Sequence, residues 1–402
     1  MGQFRFLTAG ESHGKGLTAI VEGMIAGLPL DVGYINTELK RRQQGYGRSS
    51  RMQLEEDKAE IISGIYHGLT TGSPISLFIS NRDWRETEPV TCPRPGHADL
   101  AGVTKYGLED IRPIMERASA RETAARVAVG AIAKRFLEQF GIAIHSHTMA
   151  IGHVTLNQVQ GLASCHCQPT SIDWQRVESS PVRCSDTKLE KEILATIDKA
   201  KADGDTLGGI FEVIATGVPI GLGSHVHWDR RLNGRIAQAI MSINAVKGVE
   251  VGMGFALAAL KGSQAHDIIE PNPLPIIEER SSSSLRGASA TKQSLPWRYA
   301  TNRAGGIEGG ISNGEPIVVR AVVKPIATLA KPLPSIDLHS GQVAQAHYER
   351  SDVCVIPAAG VIAEAMLAIV LADAMLEKFG GDNLREILTN YHNYLSSCHR
   401  FW

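Results

Sequence analysis

The sequence predicts a mixed α/β or α+β fold in one compact domain. Two long stretches carry helical periodicity, several short β-rich runs lie between turn residues, and no clean linker separates them. Strands and helices do not follow the regular alternation of a doubly wound sheet.

The clearest helix starts at Ser119. Ser119 and Glu122 have capping-box spacing, in which each side chain satisfies a free amide of the first turn. Ala128, Ile132, Phe136 and Phe140 then form one apolar stripe, and Gly141 supplies a stop. A second helix is predicted from about Ala358 to Phe379, ending at Gly380–Gly381. It is apolar nearly all round, which argues for burial in a large core or a subunit interface. SPISLFIS, GGIFEVIATGV and PIVVRAVV read as strands, and residues about 155–190 and 266–300 as surface excursions.

Among 402 residues, 41 lysines and arginines nearly cancel 42 aspartates and glutamates. No global field then favours nucleic acid or an anionic membrane, so any anion site must come from local clustering. Forty glycines and 5% aromatics suggest many tight turns and close backbone approaches. The N-terminus lacks a secretory pattern, and AMLAIVLADAML, interrupted by Asp373, reads as too short to span a bilayer. Six cysteines are too few for a disulfide scaffold in a chain this long. The expectation is a soluble cytoplasmic protein.

TAGESHGKG is not a Walker A loop: only three residues separate Gly10 from Gly14, and Gly16 stands where Ser or Thr would hold magnesium. What remains is His13 among small residues, which suits either a ligand-facing loop or an ordinary Gly- and Ser-rich turn. LKRRQQGYGRSSR gathers Lys40, Arg41, Arg42, Arg48 and Arg51 around Gly45 and Gly47. It reads as a solvated basic loop, a nucleic-acid patch, or a loop whose arginine forks grip phosphate or carboxylate. RPGHADLAG carries His97 behind a Pro–Gly turn and next to Asp99, and histidine is the natural proton donor near neutral pH. Arg112, Arg117, Arg121 and Arg126 form a second arginine group. Arg117 stands just before a helix start, where free amides favour an anion.

GGIEGGISNG, from Gly305 to Gly314, is either a pair of tight turns or backbone lying against a planar cofactor. Metal readings are weak. CHC (Cys165, His166, Cys167) with Cys184 lacks structural-zinc spacing, and HVHWD places His225 and His227 on one strand face without a third ligand.

Taken together, TAGESHG, RRQQGYGRSSRM, RPGHADLAGVTKYG, ERASARETAARVA, SINAVKGVEVGMGF, GGIEGGISNG, KPIATL and RSDVCV resemble the chorismate synthase family along most of the chain. The resemblance implies an α+β domain over residues 1–402, a β–α–β sandwich of antiparallel sheets around helices, and a homotetramer. It implies conversion of 5-enolpyruvylshikimate 3-phosphate to chorismate and phosphate by anti-1,4-elimination. Reduced FMN is required, although there is no net redox change, and NADPH is a possible reductant. His13 and His97 would be the acid–base pair, with His13 assigned to the leaving phosphate. Asp352, with Ser12, would handle the proton at flavin N5. Arg42, Arg48, Arg51, Arg94, Arg121 and Arg350 resemble phosphate and carboxylate ligands, some of which would serve NADPH instead. The flavin set would be Arg117, Ala118, Ser119, Asn244, Ala245, Gly309, Lys324, Pro325, Ile326, Ala327, Thr328 and Arg350. No metal is implied. Two other readings compete: a flavin reductase consuming NADPH, and an anion- or RNA-binding protein using the arginine loops.

Overall fold

The computed structural model describes residues 4–49, 55–156, 172–272 and 296–400. Arg51, Cys165, His166 and Cys167 lie outside the described residues. The chain builds two larger antiparallel sheets. The first contains β1 (Arg5–Ala9), β2 (Gly16–Glu22), β3 (Ala59–Ile61) and β4 (Ile75–Ser80) in the order β1-β2-β4-β3. Its strands alternate as a half-buried sheet must: Leu17, Ala19 and Val21 of β2 and Ile75, Leu77 and Ile79 of β4 point inward.

The second sheet contains β5 (Ala143–Ile151), β6 (Val154–Thr155), β7 (Gly209–Thr216), β8 (Val246–Val251) and β9 (Ile317–Val323), in the order β8-β9-β7-β5-β6. The predicted strands in SPISLFIS, GGIFEVIATGV and PIVVRAVV are thus β4, β7 and β9.

Six helices matter to the site: α1 (Val32–Gln43), α2 (Asp99–Tyr106), α3 (Arg112–Ala118), α4 (Thr123–Glu138), α5 (Leu232–Met241) and α6 (Ile356–Phe379). Helix α4 packs on β2 and β4 of the first sheet, α6 packs on β5 and β7 of the second, and the two helices pack on each other. At their crossing, a Cβ added to Gly130 would meet the Ala365 Cβ at 2.2 Å, so only glycine permits this approach. Apolar side chains from both sheets and both helices form one continuous buried cluster.

The predicted stripe Ala128, Ile132, Phe136 and Phe140 is buried. The capping box forms only by half. Ser119 Oγ accepts the Arg121 amide at 3.2 Å, but the Glu122 carboxylate binds Thr8 Oγ1 and Arg126 instead. The first turn is a 3-10 turn, Ala120–Glu122, and a guanidinium one helical turn on attracts a carboxylate more strongly than an amide does. The stretch read as too short for a bilayer belongs to α6, whose 24 residues are long and apolar enough to cross one. The described chain encloses it: 94% of its most apolar window is buried, the environment of a core helix.

Two local readings are corrected. Lys40, Arg41 and Arg42 belong to α1 rather than to a loop, their charges lying in its last turn where the helix dipole favours cations. His225 and His227 do not share a strand face. They lie in a bend before the short turn Trp228–Arg230, where His227 Nδ1 meets Asp229 at 2.7 Å.

Candidate active site

The loop between β1 and β2 carries His13. Gly10 stands at φ +109°, and a Cβ there would lie 2.3 Å from the Gly16 carbonyl, so the neck of this loop requires glycine. His13 is buried. Its Nδ1 lies 2.8 Å from Glu116 Oε1, and its backbone amide donates to Glu116 Oε2 at 2.6 Å. Its Nε2 faces Arg85 Nη2 at 3.4 Å and Asp83 Oδ2 at 4.0 Å. Burial pushes the Glu116 carboxyl up, but the bonds from His13 and the nearby Arg112 outweigh it and hold the group below the ordinary glutamate range. Arg112 also pairs with Glu349, which lies 3.7 Å from His347.

The second histidine follows the turn at Gly96, which adopts φ +77°. His97 Nδ1 lies 2.5 Å from Oδ1 of the fully buried Asp99. Burial raises the Asp99 carboxyl, but His97 and Arg94 hold it well below the ordinary aspartate range. Arg94 binds both Asp99 oxygens, reaches Thr328 Oγ1 at 3.0 Å, and places Nη2 3.0 Å from His97 Nδ1. Lys324 Nζ donates to the Gly96 carbonyl at 2.5 Å, and Ala327 borders the same turn.

The arginines divide by what they already bind. Arg42 is fully engaged, donating to Thr123 Oγ1, Asp57 and the Ala120 carbonyl. Burial lowers its pKa to about 10, which leaves it charged at neutral pH. Arg121 shares Asp57 and reaches Asn81 Oδ1 at 2.9 Å, while its buried Nη2 makes no hydrogen bond among the described residues and lies 3.7 Å from Glu55 Oε2. Arg48 pairs with Asp352 at 3.2 Å, and its buried Nε has no hydrogen-bond partner among the described residues. Asp352 also accepts the Ser49 amide at 2.6 Å. Arg350 is exposed, beside Glu349.

Much of the predicted flavin set is gathered. Arg117 donates to the Thr8 and Gly10 carbonyls and so ties α3 to the His13 loop. Asn244 Nδ2 donates to the Ala118 carbonyl at 3.0 Å, and its buried Oδ1 has no hydrogen-bond partner among the described residues. Ala245 takes φ +65°, uncommon for a residue with a Cβ, and accepts the Lys324 amide at 2.9 Å. Ile326 accepts from Thr206 at 2.8 Å, while Pro325 is exposed. Gly309 stands apart, at the exposed turn between the short strands Ile307–Glu308 and Ile311–Ser312. Its neighbour Gly310 binds Leu232 at the start of α5.

These contacts close a circuit. It runs from Ser12 to Ser119, from Ala118 through Asn244–Ala245 to Lys324, and on to Gly96 beside His97. Arg94 then binds Thr328, whose carbonyl accepts from Ser351 beside Asp352, and Asp352 holds Arg48. Arg42 feels the charges of Arg48 and Asp352 and shares Asp57 with Arg121. Arg121 returns through Asn81 to the His13 loop. The elements meeting here are the ends of β1, β4 and β9 and the starts of β2, β8, α4 and α6.

Sequence reasoning missed Glu116, Asp83, Arg85, Asn81, Asp57 and Glu349. Of these, Glu116 lay in a matched stretch (ERASARETAARVA), but one acid in a charged helix carries no mark of its partner. Among the described residues no group of three or more His, Cys, Asp and Glu side chains is placed to hold a metal ion.

Two carboxylate-backed histidines and a ring of buried guanidinium groups belong to an enzyme's site rather than to a structural surface. The family described as chorismate synthase matches residues 4–376. A chorismate synthase of Moorella thermoacetica is 52% identical over 410 aligned positions, covering 97% of this chain and 99% of that protein. That of Brevibacillus brevis is 49% identical, covering 99% of this chain and 100% of that protein. A crystal structure of a chorismate synthase superposes with a TM-score of 0.79 at 44% identity, covering 99% of this chain and 98% of that one. The chain belongs to the chorismate synthase family, and it is an enzyme of that family.

Proposed function

We propose that this chain converts 5-enolpyruvylshikimate 3-phosphate to chorismate and inorganic phosphate by anti-1,4-elimination, with reduced FMN as cofactor. The single observation that carries the reading is the buried Arg48 Nε, which has no hydrogen-bond partner among the described residues, on one circuit with Arg121 and two carboxylate-backed histidines. A buried charged donor without an acceptor calls for a ligand. The substrate offers two carboxylates and a phosphate monoester, which alone carries roughly −1.5 to −2 charges at neutral pH.

The residues present also fit a flavin. Asn244 Oδ1 is a buried acceptor lacking a donor among the described residues, and a flavin supplies imide and ribityl donors. Arg117 to Ser119, Asn244–Ala245, Lys324 to Thr328 and Arg350 would hold it, with Gly309 a more distant candidate. When bound, reduced FMN would supply the electron density that the departure of phosphate requires. His13 protonates the departing phosphate, and His97 acts as the second acid–base group beside the cofactor. Asp352, with Ser12, takes up the remaining proton. Arg48, Arg51, Arg94 and Arg121 orient the anionic groups, while Arg42 serves as the strut that holds Asp57 for Arg121.

The same reading makes residues 1–402 one domain, a β–α–β sandwich with the helices between the two sheets, in a cytoplasmic homotetramer. Exposed Leu7, Trp228 and Phe255 offer apolar surface for such an assembly to cover. NADPH is the candidate reductant if the chain reduces its own flavin. The test is anaerobic incubation of the chain with substrate and reduced FMN. The lyase reading predicts phosphate release that oxidised FMN does not support. A flavin reductase would oxidise NADPH without the shikimate substrate, and an RNA-binding protein would retain RNA without binding FMN.

A further inference from the structure

We propose that Glu116 is a positioning residue that holds His13 in the Nδ1–H tautomer, leaving Nε2 as the nitrogen that exchanges the proton; this rests on the reading of His13 as an acid–base group. Two neighbours with opposite hydrogen-bonding capacity demand the same tautomer. Glu116 Oε1 lies 2.8 Å from Nδ1, and a carboxylate only accepts, so Nδ1 must carry hydrogen. Arg85 Nη2 lies 3.4 Å from Nε2, and a guanidinium only donates, so Nε2 must present its lone pair.

The other Glu116 oxygen accepts the His13 backbone amide at 2.6 Å, which ties the ring's orientation to the main chain of its own loop. Glu116 stays ionised although buried, because its bonds from His13 and the charge of Arg112, 3.6 Å away, outweigh desolvation. The remaining charges facing this pair come from two further segments. Asp83 approaches Nε2 at 4.0 Å, Arg85 follows it, and Glu349 with His347 lies beyond Arg112. Protonation of Nε2 therefore places the new N–H toward Asp83, with Glu116 still holding Nδ1–H. In the elimination, the Nε2–H bond breaks and an O–H bond forms on the departing phosphate. The electron pair stays on Nε2, and the ring returns to the tautomer that Glu116 selects.

The experiment uses the full chain labelled with ¹⁵N-histidine, at a pH where the ring carries one proton. The His13 signals are assigned by their loss in His13→Gln. Wild type should show a protonated Nδ1 and a bare Nε2. In Glu116→Gln the amide nitrogen faces Nδ1 as a donor, so the tautomer should invert. Turnover should fall by about 10²–10⁴-fold, with KM changed by less than about threefold. Glu116→Asp keeps the charge and should restore the Nδ1–H form and at least about a tenth of wild-type turnover. A protonated Nε2 in wild type overturns the proposal, as does an inverted tautomer with undiminished turnover. Should Glu116→Gln fail to fold, the wild-type and Glu116→Asp spectra still decide it. If wild type releases no phosphate from the enolpyruvyl substrate, the lyase reading fails while the tautomer measurement stands.

Discussion

Arg121 donates from Nε to the Asn81 carboxamide at 2.9 Å, and Asn81 in turn points its amide at the carbonyls of Glu11, Ser12 and Gly14. A buried arginine thereby shapes the loop that carries His13, which Glu116 also holds. Asn81→Ala removes the link and leaves buried groups without partners. It should cost about 1–3 kcal/mol of stability, read by denaturant unfolding, and lower turnover more than it changes substrate affinity.

His13→Ala and His97→Ala should fold, because each histidine lies at the edge of a loop rather than in the apolar core. Each should lose about 10²–10⁴ in turnover, the usual contribution of a positioned acid or base. Circular dichroism checks the fold and chorismate formation checks the chemistry. Wild-type rates in both variants would remove these residues from the site.

Arg48→Ala should weaken substrate binding rather than flavin binding. Arg48 pairs with Asp352 and keeps a buried Nε for a ligand. Loss of a charge-assisted contact predicts roughly a tenfold or greater rise in the substrate Kd, measured by titration in the presence of FMN. Unchanged affinity would remove this loop from the pocket.

Acid should unfold the chain through α6. Burial pushes the Glu364 carboxyl up, but Lys134, Arg41 and Arg183 hold it well below the ordinary glutamate value. Burial acts likewise on Glu178, which Arg41 and Arg183 bring down to about 2. A depressed carboxylate contributes stability that is complete above its unfolded pKa, about 4.3, and is lost as pH falls through the folded value. Thermal stability should therefore hold near neutrality and decline between about pH 5 and about pH 2. Glu364→Gln should be less stable at pH 7, by about 3–5 kcal/mol for an unpaired buried cluster, and should show a shallower acid decline.

The fold was legible where periodicity is strong. The stripe from Ala128 to Phe140, the strand runs and the apolar helix before Gly380 all appear as elements, because each buries one face or all of itself. Boundaries failed where chemistry competes with pattern. Lys40 to Arg42 read as a loop because Gly45 and Gly47 follow, yet Ile35, Leu39 and Arg42 share a buried helical face. Asp99 was visible beside His97, two positions on. Glu116 was not visible beside His13, because 103 residues separate them and only the packing of α3 against the loop brings them together. Asp57 and Asn81 carry no local signal at all.

We propose that both histidines and the arginine circuit serve one elimination in which the flavin is required but not consumed. The direct measurement is the stoichiometry of chorismate, phosphate and oxidised flavin after anaerobic turnover with a limiting amount of reduced FMN. Chorismate and phosphate should form in equal amounts, both well in excess of the flavin, which should end reduced. Flavin oxidised once for each phosphate released, or phosphate release without chorismate, would contradict it.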